Sequence, residues 1–238
     1  MIRVTHAGAT APCGPIVLQL GTEVDDAIAL DFERWCEDHL RDNLRLPGFL
    51  SGRRLRRSTT SPPNATSPAS LTLYQLEAAS ALETPEYAGR RVSMPAHFAN
   101  RLRFERALYR ALDEPDGVAA LPVGRAILHV AIDVEPQWRD RFVEWYATVH
   151  VPAVLEAPGM LAARRFEHVE LTRGSALPPG QHPYCALYEM EATDLLTRPE
   201  TLAAAARGAC PPDLAAHRVS TSQVYEEVFR VDASRPDD

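Results

Sequence analysis

Two histidines of the sequence stand where an imidazole could transfer protons. His150 comes late in the stretch "FVEWYATVHVP", in which Phe142, Trp145 and Tyr146 recur at helical spacing. A helix would place His150 about 80° around its axis from Phe142, on the flank of this apolar stripe. Two roles fit that position. One is a general acid or base near neutral pH, and the other is a structural bond to a carbonyl at the end of the helix.

The second histidine, His129, lies within the short apolar run "AILHVAID". Strand alternation puts Leu128, Val130 and Ile132 on one face and His129 on the other. The matching run "IVLQLGT" has Gln19 at the same place. A polar side chain in the middle of a buried strand is costly unless it is paired. We therefore predict that both side chains meet a partner or a ligand, and that His129 lines a pocket.

Tyrosine and arginine supply further candidates. Tyrosines on strands are usually core residues with a satisfied hydroxyl, but they also serve as proton donors. A guanidinium keeps its charge, so Arg165 is predicted either to bind an anionic substrate or to form an edge ion pair. The catalytic candidates are His129, His150 and Tyr188, and the substrate-binding candidates are Gln19, Tyr74, Tyr146 and Arg165.

Composition removes many classes of protein. All 25 cationic residues are arginines, so a Schiff-base lysine and a P-loop lysine are both excluded. The four cysteines are far apart and form no CxxC pair, which predicts free thiols and no metal site. The formal charge of −7, without a basic tail, predicts no nucleic-acid partner. No long apolar run or secretory leader occurs, so the sequence predicts no membrane partner and a cytoplasmic protein.

The chain contains the same pattern twice. "GPIVLQLGTEV" (14–24) matches "GRAILHVAIDV" (124–134), and the offset of 110 residues also relates Trp35 to Trp145. After the tryptophan the second copy gains one residue, so that Pro47-Gly48 corresponds to Pro158-Gly159. Such self-similarity predicts two copies of one structural unit.

Each copy predicts the order β-α-β-β-α-β of a ferredoxin-like unit. Helices are predicted before each Pro-Gly and after each Pro-Glu, because proline suits a first helical turn. The predicted class is α+β, with two repeats that cover each other's bare sheet faces as a monomeric pseudo-dimer or a homodimer. The predicted strands are 15–22, 50–57, 70–78 and 102–112, and then 125–133, 160–170, 183–192 and 217–230. The predicted boundaries are a tail (1–14), a first repeat (15–112), a linker (113–123), a second repeat (124–230) and a tail (231–238).

The element order and the stretch "WYATVHVP…APGM…RRF" resemble the dimeric α/β-barrel superfamily, and its EthD-like branch in particular. There an aromatic-rich helix ends in a histidine, a small residue and proline, followed by Pro-Gly and a strand with arginine. The second copy matches through Trp145, His150, Pro152 and Arg165. The first copy departs, because His39 follows Trp35 by four residues rather than five and lacks the later proline.

The resemblance implies a barrel that encloses an apolar pocket for a small molecule. The expected function is a cofactor-independent enzyme of biosynthesis that transfers protons as a cyclase, dehydratase, decarboxylase or isomerase. Its expected substrate is a small aromatic or polyketide-like metabolite. Three alternatives remain at this stage: a non-catalytic binding protein, a haem-dependent enzyme of the same fold, and a structural pseudo-dimer with a filled barrel.

Overall fold

A computed structural model describes residues 9–60, 67–90, 94–98, 100–112, 118–169 and 182–233. The fold is mixed α+β, with eight long strands in a closed barrel. The α+β class and the barrel agree with the sequence-based prediction. Parts of the predicted tails and linker (1–8, 113–117 and 234–238) lie outside the described residues.

The N-terminal half, residues 9–112, supplies four barrel strands and two helices. Asp25 accepts a hydrogen bond from the Ala27 amide at 2.9 Å, which caps the turn that leads into the first helix. Gly48 ends the turn after that helix with φ of +81°, a conformation that glycine adopts without strain. The elements in order are β1 (Thr10–Cys13), β2 (Ile16–Val24), α1 (Ala29–Asn43), β3 (Phe49–Arg57), β4 (Ser70–Leu76), α2 (Pro85–Arg90) and β5 (Leu102–Ala111).

The C-terminal half, residues 118–233, has the same order of barrel strands and helices. The helix ends before Pro158-Gly159 as predicted, and Gly159 has φ of +90°, a conformation that glycine adopts without strain. Pro199 begins its helix as predicted. The elements are β6 (Ala119–Pro122), β7 (Ala126–Val134), α3 (Arg139–Trp145), α4 (Val151–Leu155), β8 (Met160–His168), β9 (Tyr184–Met190), α5 (Pro199–Arg207), α6 (Pro212–Ala215) and β10 (Arg218–Asp232).

A π-helical turn, Tyr146–His150, joins α3 to α4. The Val151 amide donates to the Tyr146 carbonyl, five residues back, so the turn accommodates one residue more than an α-helical turn. Pro152 follows directly, and it lacks the amide hydrogen that a continuing α-helix would use. The one-residue difference between the two similar stretches of sequence thus lies in this turn. Helical spacing would also place Val149 in the apolar stripe with Trp145 and Tyr146, but its side chain is 44% exposed, so this expectation is wrong.

The strand order around the barrel is β10-β3-β4-β2-β5-β8-β9-β7, and β7 closes it by pairing with β10. Each half contributes four adjacent strands. The halves meet where β3 pairs with β10 and where β5 pairs with β8, both antiparallel. This closure covers the face that each four-stranded sheet would otherwise expose.

The core has separate layers inside and outside the barrel. Two apolar clusters lie between the sheet and the helices, one in each half. A third cluster fills much of the barrel and consists of Val17, Leu55, Leu71, Leu73, Ala107, Tyr109, Ile127, Phe166, Cys185, Leu187 and Tyr225. None of the helices in the described part of the chain is long and apolar enough to cross a bilayer.

Strands β1 and β6 were not predicted. They form an antiparallel pair from Thr10 opposite Pro122 to Cys13 opposite Ala119. They lie in the segments that the sequence assigns to the N-terminal tail and the linker, so parts of both segments are ordered against each other.

Candidate functional site

A cavity of about 300 Å³ lies between the helices and the sheet of the N-terminal half. It is larger than the other cavities described here, which measure about 30 and 10 Å³. Its volume falls at the lower end of the range of about 300–1,000 Å³ that is usual for small-molecule sites. Apolar side chains form much of its wall, among them Leu20, Phe32, Trp35 and Leu102.

Helix α1 positions one wall of the cavity. Phe32, Leu40 and Asn43 are its buried residues, at the three- and four-residue spacing that directs side chains to one side of a helix. Trp35 and His39, four residues apart, stack with ring centroids 4.6 Å apart and an interplanar angle of 17°. His39 therefore lies flat against an indole at the edge of the cavity.

The electrostatic surroundings keep His39 neutral. Burial and the nearby Arg90 guanidinium lower the pKa of His39 below 6.5, whereas Asp42 acts in the opposite direction. Arg90 also pairs with Asp42 at 2.8 Å. At neutral pH the imidazole is consequently unprotonated and able to accept a proton.

The polar end of the cavity is formed by Asn43 and Tyr74. Asn43 Nδ2 donates to Tyr74 Oη at 3.1 Å. Among the described residues, Asn43 Oδ1 is buried and has no hydrogen-bond partner. Burial raises the pKa of Tyr74 above 10, so its hydroxyl stays protonated. The predicted substrate-binding residue Tyr74 thus borders the cavity.

Arg54 lies beneath the cavity without bordering it. Its guanidinium is fully buried, pairs with Glu33 at 2.6 Å, and donates to Thr22 Oγ1 and Thr72 Oγ1. Burial raises the pKa of the neighbouring Cys36 thiol to about 12, although Arg54 lowers it. Cys36 therefore borders the cavity as a neutral thiol and not as a thiolate nucleophile.

In the described part of the C-terminal half, a larger side chain stands at the position that corresponds to Cys36. Tyr146 follows Trp145 on its helix as Cys36 follows Trp35, and its larger side chain is buried. Tyr188 Oη donates to Tyr146 Oη at 2.8 Å, and burial raises the pKa of both hydroxyls. The predicted residues Tyr146 and Tyr188 are therefore bonded to each other in a packed core.

His150 and Arg165 make structural contacts on the same side of the C-terminal sheet. The Nδ1 atom of His150 lies 2.8 Å from the Gly208 carbonyl, which follows α5. Burial lowers the pKa of His150, and the bond to Gly208 opposes this effect. Arg165 Nη1 donates to the Val143 carbonyl at 2.7 Å. Tyr146 and Arg165 border a pocket of only about 10 Å³.

His129 faces the barrel interior, as strand alternation predicts. Its Nε2 lies 3.0 Å from Gln19 Oε1, so the two matched polar positions pair with each other. Burial and the neighbouring His182 lower the pKa of His129 to about 4. The cavity that Gln19 and His129 border measures about 30 Å³, which is the volume of about one water molecule. The expected ligand-sized chamber beside His129 is thus not found in the described part of the barrel.

Two buried arginines close one end of the barrel across the two halves. Arg53 donates to Glu189 at 2.7 Å, to Glu227 at 2.6 Å and to the Gly124 carbonyl. Arg164 donates to Gln75 at 2.7 Å and to the Gly14 carbonyl at 2.6 Å. These contacts tie each half to the other.

The cavity brings together residues that the sequence analysis did not select. Of the predicted site residues only Tyr74 borders it, while His39, Cys36 and Asn43 were missed. The π turn explains the omission of His39. His150 is the fifth residue after Trp145, in a π turn, and the two ring centroids lie 5.1 Å apart. His39 is the fourth residue after Trp35, in an α-helix, and these ring centroids lie 4.6 Å apart. The histidine thus lies beside the tryptophan in both halves. Among the described residues no cluster of three or more histidine, cysteine or acidic side chains could hold a metal ion.

No family model matches the chain, and no curated protein matches its sequence at a significant level. Several solved structures are similar along nearly the whole chain. An anthrone oxidase-like protein has a TM-score of 0.58 at 16% identity and covers 92% of each chain. A candidate chlorite dismutase has a TM-score of 0.57 at 13% identity and covers 95% of this chain and 97% of its own. A candidate monooxygenase from Fusobacterium nucleatum has a TM-score of 0.56 at 11% identity, with coverage of 93% and 94%. Identities this low show the fold alone, and that fold is the one shared by dimeric α/β-barrel, ferredoxin-like proteins.

Proposed function

We propose that the protein is a cofactor-independent enzyme that transfers protons on a small aromatic or polyketide-like molecule bound in the N-terminal cavity. The observation that carries this proposal is that a neutral imidazole and the Asn43 amide, whose oxygen has no hydrogen-bond partner among the described residues, border one largely apolar cavity. The anthrone oxidase-like protein among the similar folds supports the substrate class, because an anthrone is an aromatic ketone with acidic C–H bonds.

In the proposed reaction His39 removes a proton from an acidic C–H or phenolic O–H bond of the substrate. The electron pair of that bond remains on the substrate as an enolate or phenolate. The hydroxyl of Tyr74 donates to the resulting oxyanion, and the Arg106 side chain at the cavity provides positive potential. Return of the proton from the His39 imidazolium to another atom completes an isomerisation. In a dehydration the anion instead expels a β-hydroxide, which takes the proton of the His39 imidazolium and leaves as water. In a decarboxylation His39 takes the proton of a substrate carboxyl group, carbon dioxide leaves, and the imidazolium returns the proton to the resulting carbanion.

The sequence-derived roles of His129, His150 and Tyr188 in catalysis stay predictions. His129 borders a cavity that is large enough for a water molecule but not for a substrate. The side chains of His150 and Tyr188 are held by the Gly208 carbonyl and the Tyr146 hydroxyl. The proposal therefore assigns the proton acceptor to His39.

A haem does not fit the residues of this cavity. A tetrapyrrole needs the upper part of the usual volume range for ligand sites, whereas this cavity measures about 300 Å³. The histidine at its wall is stacked flat on Trp35, and Arg90, a candidate partner for a propionate, pairs with Asp42. Haem absorbance near 400 nm in the purified protein would contradict this view.

Exchange of hydrogen for deuterium tests proton transfer without knowledge of the natural substrate. The bicyclic ketone 2-tetralone is incubated with the protein in D₂O, and loss of its acidic C–H signals is followed by NMR. Wild type should accelerate the exchange, and His39→Gln should lose about 10²–10⁴-fold of the acceleration. The rate should be constant near neutral pH and fall below pH 6.5, because protonation of His39 removes the base.

Three histidine variants complete the experiment. His217→Gln, at a ring stacked on Trp138 in the other half, is a control for a surface histidine. Variants His129→Gln and His150→Gln test the predictions from sequence. Exchange that depends on either of these residues and not on His39 would refute the assignment. The absence of any acceleration by wild type would favour the binding-protein alternative, provided that aromatic ligands still bind.

We also infer that the chain is an internal duplication, related to EthD-like proteins, with repeats at 15–112 and 124–230. Its support is the shared element order, the Gln19–His129 pair 110 positions apart, and the positive φ of Gly48 and Gly159. On this view one site has kept a cavity and the other has been filled by Tyr146. A single chain would then be a complete pseudo-dimer.

A further inference from the structure

We propose that Asn43 and Tyr74 form a paired recognition element for a flat aromatic ligand with a hydrogen-bond donor beside a carbonyl oxygen, as in a lactam or an enolised 1,3-diketone. This inference rests on the proposed function and specifies the substrate class of the same cavity. The pair lies where the last residue of α1 meets β4.

Asn43 supplies a buried hydrogen-bond acceptor that lacks a donor among the described residues. The residue is only 3% exposed, and its Nδ2 donates to Tyr74 Oη. Its Oδ1 has no partner among the described residues, although the side chain borders the cavity. A buried carbonyl oxygen without a donor is costly. A donor on the ligand would remove that cost.

The hydroxyl of Tyr74 supplies a hydrogen-bond donor beside Asn43. A hydroxyl has one hydrogen to donate and two lone pairs. Because the bond to Asn43 uses a lone pair of Tyr74 Oη, the hydrogen stays available for an acceptor in the cavity. The shared bond thus holds one acceptor, Asn43 Oδ1, and one donor, the Tyr74 hydroxyl, side by side.

The C-terminal half provides an internal comparison. There Tyr188 occupies the place of Tyr74, and its hydroxyl donates to Tyr146. The pocket that Tyr146 borders measures only about 10 Å³, and the pair lies within the apolar core. The unsatisfied amide oxygen therefore occurs in the half that has the large cavity.

The chemistry of the ligand follows from these groups. Asn43 Oδ1 requires an N–H or O–H group, and the Tyr74 hydroxyl requires an oxygen acceptor within a few ångströms of it. The aromatic walls at Phe32 and Trp35 favour a planar ring system. Sites built to hydrogen-bond a donor reject analogues that lack it, because a buried group is then left unpaired.

The test uses 2-quinolone and coumarin, which share a bicyclic shape and a carbonyl. Only 2-quinolone has an N–H beside the carbonyl, and coumarin has a ring oxygen there. Dissociation constants are measured by isothermal titration calorimetry and by quenching of tryptophan fluorescence, since Trp35 borders the cavity. Wild type should bind 2-quinolone roughly tenfold to hundredfold more tightly than coumarin.

The variants separate the two contacts. Asn43→Leu should abolish the preference, so that the ratio of the two dissociation constants approaches one. Tyr74→Phe should weaken both ligands by a similar factor and keep their ratio, because it removes the donor to the shared carbonyl. If Asn43→Leu fails to fold, Asn43→Asp replaces it in the test. This variant keeps an oxygen acceptor, so it should keep the preference for 2-quinolone. Tyr225→Phe, which loses a bond to the Pro68 carbonyl away from the cavity, should change neither constant.

Each outcome has a distinct meaning. A ratio near one in wild type, or a preference that survives in Asn43→Leu, overturns the recognition element. The proposed function would still stand in that case if deuterium exchange depends on His39. Failure of both ligands to bind overturns the recognition element, and failure of exchange on 2-tetralone overturns the proposed function separately.

Discussion

Protonation of His129 should weaken the fold in a defined pH window. Burial inside the barrel and the nearby His182 lower the pKa of His129 from 6.5 to about 4. The unfolded chain binds a proton at this residue below about pH 6.5, whereas the folded chain does not do so until about pH 4. Stability due to the neutral ring is therefore unaffected above pH 6.5 and is lost as the pH falls from 6.5 towards 4.

The size of the effect follows from the difference between the two pKa values. It corresponds to a loss on the order of 3 kcal/mol at pH 4. One edge of the ring borders the small barrel cavity, and solvent there should reduce the loss to about 1–2 kcal/mol. His182 and Asp133, paired at 2.8 Å, are charged or titratable neighbours at that end of the barrel.

Urea unfolding at pH 7, 6, 5 and 4.5 measures this loss. The matched variant is His129→Gln, because Gln19 shows that glutamine is accommodated at the corresponding position. Carboxylates and the other histidines titrate in both proteins, so the difference between the two pH profiles reports His129. The variant should lose less stability than wild type between pH 6.5 and 4.5. Identical profiles, or an NMR titration of His129 near pH 6.5, would refute the reasoning.

Two further predictions concern the cavity and the barrel end. Cys36→Tyr should fill the N-terminal cavity with a side chain of the size that Tyr146 has at the matching position. The affinity for 2-quinolone should then fall by at least about tenfold, while the melting temperature is kept or raised. Retention of binding would contradict the proposed location of the site. Arg53→Met should destabilise the protein by roughly 3–5 kcal/mol in urea unfolding, because it removes the buried cation that Glu189 and Glu227 share. Arg164→Met should cost less, since its partner Gln75 is neutral; equal losses would show that charge pairing is not the cause.

Local sequence patterns determined the elements of the fold. Alternating and helical periodicities predicted the eight barrel strands and the main helices, and Pro-Gly predicted where the helix before it ends in each half. These features depend on residues near each other in the chain, so a sequence records them directly. The same alternation correctly placed Gln19 and His129 on the barrel side.

The location of the cavity was decided by packing between distant segments. The sequence predicted a ligand cavity inside the barrel, but the apolar cluster and the Gln19–His129 pair occupy much of the barrel interior. Whether a gap remains outside the barrel depends on the volume of Cys36 in one half and of Tyr146 in the other, measured against strands far away in sequence. Volume complementarity of this kind has no local signature. The sequence alone therefore specified which elements form, and only the tertiary structure decided that His39, Asn43 and Tyr74 border one cavity.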